Sequence, residues 1–92
     1  MSSEKKYYRN ARVAVVNFGL DKALLNVETG KYLYLNETGA RIWDLLENYP
    51  TVSEIAGQMF SEYEIEVETV RLKIEKFIEK ALAAKIIALK IE

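Results

Sequence analysis

Cysteine and histidine are both absent from the chain. Their absence removes disulfides, thiolate zinc sites and iron–sulfur ligation. It also removes the commonest general acid–base and every Ser-His or Cys-His nucleophile pair. No apolar run approaches the roughly 20 residues that a bilayer-crossing helix needs, and Met1 to Lys6 lack the apolar stretch of a signal peptide. A cytoplasmic location, with no membrane partner, is the expectation. Neither sign of charge dominates, for the formal net charge is −1. Carboxylates remain, but the Glu62, Glu64, Glu66, Glu68 run has no glycine for the sharp turn of a calcium-binding loop. It reads as a solvated acidic turn. No catalytic residue, metal ligand or cofactor is assigned, and the expectation is a binding protein that is not an enzyme.

What is present suits one compact domain. Half of the 92 residues are hydrophobic, with one Trp, six Tyr and three Phe, which argues against disorder. A chain of this length buries only about 60–65% of its unfolded surface, so one core needs nearly all of its apolar residues. There is no internal repeat, linker or low-complexity tract. Residues 1–11 are polar and read as a flexible, loosely attached segment, leaving 12–92 as the domain.

From Val13 the residues favour strands: Val13 to Phe18, ending at Gly19, then Leu20-Asp21-Lys22 as a turn into a second strand, Ala23 to Val27. Glu28-Thr29-Gly30 fits a three-residue hairpin loop with Gly30 left-handed. Lys31 to Leu35 follows as a third strand with Leu33 and Leu35 on one face and Tyr32 and Tyr34 on the other. Asn36 is an N-cap for a helix running to about Glu47. Thr51-Val52-Ser53-Glu54 is a capping box opening a second helix. A third helix, about Val67 to Ala84, carries Val67, Val70, Ile74, Phe77, Ile78 and Ala81 on one stripe, and Ile86 to Ile91 is a short β-like tail. The fold class is therefore α+β: a three-stranded antiparallel sheet followed by three helices, winged helix-turn-helix-like.

The segment from Leu25 to Trp43 resembles the PqqD-like family, the recognition elements that bind leader peptides of ribosomally made precursors of natural products (RiPPs). The shared pattern is Gly30, Tyr32, Leu35-Asn36, Gly39 and Ile42-Trp43, followed by Thr51-Val52-Ser53-Glu54-Ile55 and Tyr63. The resemblance spans about Ala23 to Ile87. It implies a stand-alone protein that binds a precursor's leader peptide and presents it to a separate enzyme, with no chemistry of its own. The favoured type is lasso-peptide biosynthesis, whose partners are a leader peptidase and a cyclase. A pyrroloquinoline-quinone-type chaperone serving a radical-SAM enzyme is the alternative within the family.

A three-stranded meander leaves its third strand as an edge, with unpaired N–H and C=O groups that can pair with an extended peptide. The resemblance implies a leader lying antiparallel to this strand, between it and the third helix. Main-chain contacts are then expected from Lys31, Tyr32, Leu33, Tyr34 and Leu35. The groove wall is expected from Val67, Val70, Arg71, Ile74 and Ile78. Tyr32 and Tyr34 stack on the leader or cover the outer face of the sheet; both readings stand at this point. Lys73, Lys76 and Lys80 form a basic stripe away from the apolar one, either solvated or meeting acidic groups of a leader or partner. Glu66 and Glu68 at the start of the third helix oppose phosphate, so a winged-helix DNA-binding regulator is the disfavoured alternative and no nucleic-acid partner is expected.

Overall fold

A computed structural model describes residues 4–90. Residues 1–3 of the segment read as flexible, and Ile91 of the β-like tail, lie outside the described residues. The elements run β1 (Lys6–Arg9), β2 (Val13–Phe18), β3 (Asp21–Asn26), β4 (Tyr32–Leu35), α1 (Glu37–Leu46), α2 (Val52–Tyr63), α3 (Val67–Ala83) and β5 (Ile87–Lys90). The expected meander and three helices are present in the expected order.

Two turns build the meander. Gly19 at φ 63°, followed by Leu20 on the ordinary side, joins β2 to β3 as a two-residue hairpin, the pattern of a type II′ turn. The turn is thus Gly19-Leu20 rather than Leu20-Asp21-Lys22, and β3 starts at Asp21, two residues earlier than expected. The β3–β4 connection has five residues, Val27 to Lys31, rather than three. Gly30 takes φ 77° and its N–H donates to the Asn26 carbonyl at 2.8 Å.

The helix starts are fixed locally. The Asn36 side chain accepts from Gly39 N–H at 3.0 Å, and Thr51 Oγ1 accepts from Glu54 N–H at 3.2 Å, which supplies amides that the first turn cannot satisfy itself. A Cβ at Gly39 would stand 3.2 Å from Leu35 Cδ2, so the absent side chain lets α1 close onto β4. At its far end α3 closes with Ile86 N–H donating to the Ala81 carbonyl and Lys85 N–H to the Leu82 carbonyl. Lys85 sits at φ 56°, giving a Schellman motif without its usual glycine.

The core gathers Leu24 and Leu35 from the sheet, Ile42, Trp43, Leu45 and Leu46 from α1, Ile55 and Met59 from α2, and Val70, Ile74, Phe77 and Ile78 from α3. Its floor is a second, two-stranded sheet in which β1 pairs antiparallel with β5. Within the segment read as loosely attached, Lys6 to Arg9 is therefore a strand. Tyr7 is buried in the core. Arg9 Nε donates to the Trp43 carbonyl at 3.1 Å while its guanidinium lies 4.4 Å from the Trp43 ring centroid. No helix among the described residues is long and apolar enough to cross a membrane.

Candidate functional site

The meander order is β2-β3-β4. β5, the one described strand that follows the helices, is taken up by β1. Among the described residues nothing pairs with the outer edge of β4.

Register decides which groups that edge presents. Asn26 N–H donates to the Lys31 carbonyl at 2.8 Å, so Asn26–Lys31 is a hydrogen-bonded pair. In an antiparallel ladder such pairs alternate with non-bonded ones. With Leu25 opposite Tyr32, Leu24 opposite Leu33, Ala23 opposite Tyr34 and Lys22 opposite Leu35, the bonded pairs are Leu24–Leu33 and Lys22–Leu35. The β2–β3 ladder agrees: Val27 N–H donates to the Arg12 carbonyl, which sends Leu25 and Ala23 toward β2 and leaves Leu24 and Lys22 for β4. Within β4, then, Leu33 and Leu35 spend their main-chain groups on β3. Tyr32 and Tyr34 aim theirs outward. Of the five residues expected to supply main-chain contacts, the register turns Lys31, Leu33 and Leu35 inward.

Both tyrosines lie on the outer face of the sheet, opposite Leu25 and Ala23 of β3. Tyr34 packs near Phe18, ring centroids 6.2 Å apart, and its hydroxyl donates to Asp21 Oδ2 at 2.7 Å. That hydrogen bond raises the Tyr34 pKa above its ordinary value. Tyr32 is exposed, as are Val16, Phe18 and Leu25 on the same face.

Beside the open edge lies a groove of about 200 Å³. One side is Leu33, Leu35, Gly39 and Ile42. The other is Lys73, Lys76, Phe77 and Lys80 of α3. This corrects the expected wall. Val70, Ile74 and Ile78 are 0%, 0% and 5% exposed, because so small a domain needs its whole apolar stripe for the core. Arg71 and Ile78 border a different cavity, of about 450 Å³, with Tyr7, Val52 and Glu75. That larger cavity is the less suited to a peptide backbone, since the open β4 edge is not part of it. Val67 is exposed at the start of α3 and does not line the groove. The groove wall is thus the stripe that the sequence reading set apart as basic. The cue was its amphipathic composition: lysine stems cover an apolar floor while their heads stay in water.

A residue overlooked in the sequence joins the two walls. Asn26 is 1% exposed. Its side-chain oxygen accepts from the amides of Glu28 and Thr29 at 2.9 and 3.1 Å, and its side-chain amide donates to the Lys85 carbonyl at 2.8 Å. Asn10 donates to the same carbonyl at 2.9 Å. The turn leading into β4 is thereby tied to the C-terminal turn of α3. The available signal was an Asn at a strand end before Glu28-Thr29-Gly30, the composition of an Asx turn.

At the far side of the helices Arg41 pairs with Glu62, Nε to Oε1 at 2.8 Å. The guanidinium holds the Glu62 carboxyl below its ordinary pKa. One member of the acidic run is thus engaged in clamping α1 to α2.

Known proteins share this fold. A solved structure described as TbiB1 in complex with the TbiA(beta) leader peptide superposes with a TM-score of 0.80 at 25% identity, covering 92% of this chain and 99% of that one. A second, a lasso peptide synthetase B1 complexed with the leader peptide, gives a TM-score of 0.76 at 22% identity over 90% of this chain and 98% of that one, and speaks for the fold alone. No curated protein matches the sequence. Residues 21–87 match the family described as Coenzyme PQQ synthesis protein D. That span runs from the first residue of β3 to the first of β5, and the chain belongs to the PqqD family.

Proposed function

We propose that this chain captures the leader peptide of a ribosomally synthesised precursor as a fourth strand on β4. It then presents the precursor to a separate leader peptidase or cyclase, in a pathway of the lasso type. The observation that carries this reading is the open outer edge of β4 beside the α3 groove. Main-chain N–H and C=O groups of Tyr32 and Tyr34 supply sequence-independent affinity, and side-chain recognition falls to the groove. The opposite border is poorly suited to the task. β2 is exposed along Ala14 to Phe18, on both faces, so a strand added there meets no wall. The likeness to TbiB1, itself solved with a leader peptide, supports leader capture. In the pyrroloquinoline-quinone alternative the slot would be the same and the receiving enzyme different.

The chain serves as a binding partner and leaves catalysis to others. The ionisable side chains on the α3 side of the groove are Lys73, Lys76 and Lys80, and the Tyr34 hydroxyl, on the outer face of the sheet, is committed to Asp21.

Fluorescence titration with a labelled leader peptide, and with random duplex DNA, tests the reading at 50 and 200 mM salt. Saturable leader binding that changes less than about tenfold between the two is expected. DNA binding that falls by a factor on the order of 1,000 over that range, the mark of many phosphate contacts, would replace peptide capture with a winged-helix DNA role.

A further inference from the structure

The charges of α3 are sorted by side. Lys73, Lys76 and Lys80 line the β4 groove, whereas Glu75 and Glu79 line the cavity on the other flank with Arg71. Ion pairs among the described residues include Arg9–Glu47, Arg12–Glu28, Lys22–Asp44 and Arg41–Glu62. None of the three groove lysines has a carboxylate partner. They stand three and four positions apart, so neighbouring ammonium groups on one helix face repel each other. The fold thus keeps an unneutralised row of like charge along the one groove that adjoins an open strand edge.

We infer that the segment captured on β4 is acidic on its groove side, with Asp or Glu at alternating positions facing Lys73, Lys76 and Lys80. The inference rests on the strand-addition reading above. Its spacing follows from geometry. Seven residues of helix separate Lys73 from Lys80, about 10 Å at ~1.5 Å per residue. Side chains on one face of a strand recur every ~6.6 Å. Two acidic residues at i and i+2 therefore lie within the span of the three lysines, and both point to the groove while the residue between them points to the Tyr32–Tyr34 face. Phe77 and Ile42, between and beneath the lysines, take the apolar stems. Nucleic acid fits this row less well. Glu64, Glu66 and Glu68 stand at and before the start of α3, where a phosphate backbone following the helix would meet them.

The test uses the full chain and a synthetic native leader, taken from a short precursor found by reading the neighbouring genes, fluorescently labelled, together with a counterpart in which each Asp and Glu becomes Asn or Gln. A Lys73→Gln/Lys76→Gln/Lys80→Gln variant is compared with a Lys5→Gln/Lys90→Gln control that removes the same sign of charge elsewhere. Circular dichroism confirms folding of both. The acidic leader should bind wild type about tenfold more tightly than it binds the triple variant, mainly through faster association, and this gap should close at 1 M salt. The control should stay within about twofold. The amide counterpart should not distinguish wild type from the triple variant. If wild type binds the native leader but the triple variant and the amide counterpart bind as well, the charge inference falls and strand addition survives. If wild type binds neither peptide, or binds duplex DNA through these lysines instead, both readings fall.

Discussion

Tyr34→Pro is expected to weaken leader binding roughly 10- to 100-fold, while Tyr34→Ala changes it by less than about threefold. Proline removes the outward N–H and leaves the peptide carbonyl it would have met unsatisfied, a cost of about 1–3 kcal/mol. Alanine keeps the donor and loses a ring that lies on the outer face of the sheet, near Phe18. Leu33→Pro has a different expected outcome. Its N–H points to the partner Leu24, so proline breaks the β3–β4 ladder and lowers the melting temperature before any effect on binding can be read. Equilibrium titration and thermal melts of the three variants separate these cases. Equal binding by folded Tyr34→Pro and wild type would mean that the leader does not use this edge.

Asn26→Leu is the substitution expected to cost the fold most per atom changed. It strands the amides of Glu28 and Thr29 and removes one donor to the Lys85 carbonyl, a loss of roughly 2–4 kcal/mol for partly buried groups. In a domain this size that lowers the melting temperature by roughly 10–20 °C. Because Asn26 fixes the β4 hairpin to the end of α3, it is a positioning residue for both groove walls. Leader affinity should fall even at temperatures where the variant remains folded. A melt within a few degrees of wild type would show that Asn10, which also donates to Lys85, holds that turn unaided.

The parts of this fold that are legible in the sequence are those with short-range causes. Asn36 and the Thr51–Glu54 box announce their helices through side chains that bond amides three residues on. Gly30 announces its turn because left-handed backbone favours glycine. β1 escapes such reading. Its partner β5 lies at the other end of the chain, and of its four residues only Tyr7 is buried, so no alternation marks it. The candidate site was half legible. A meander followed by helices implies an open third strand, but which of its amides face outward depends on pairing with β3, which composition does not encode. The groove wall was misplaced for a related reason. An apolar stripe on α3 serves the core first, and the face that borders the open slot is the one carrying Lys73, Lys76 and Lys80 beside Phe77.

Strand addition at β4 engages two amides, those of Tyr32 and Tyr34, and residue-resolved hydrogen exchange reads them one by one. In the free protein the Tyr32 and Tyr34 amides should exchange much faster than those of Leu33 and Leu35. Saturating leader peptide should slow the first pair strongly and leave the second pair nearly unchanged. Tyr32 and Tyr34 amides already protected without peptide, or still fast when peptide is bound, would contradict strand addition at β4.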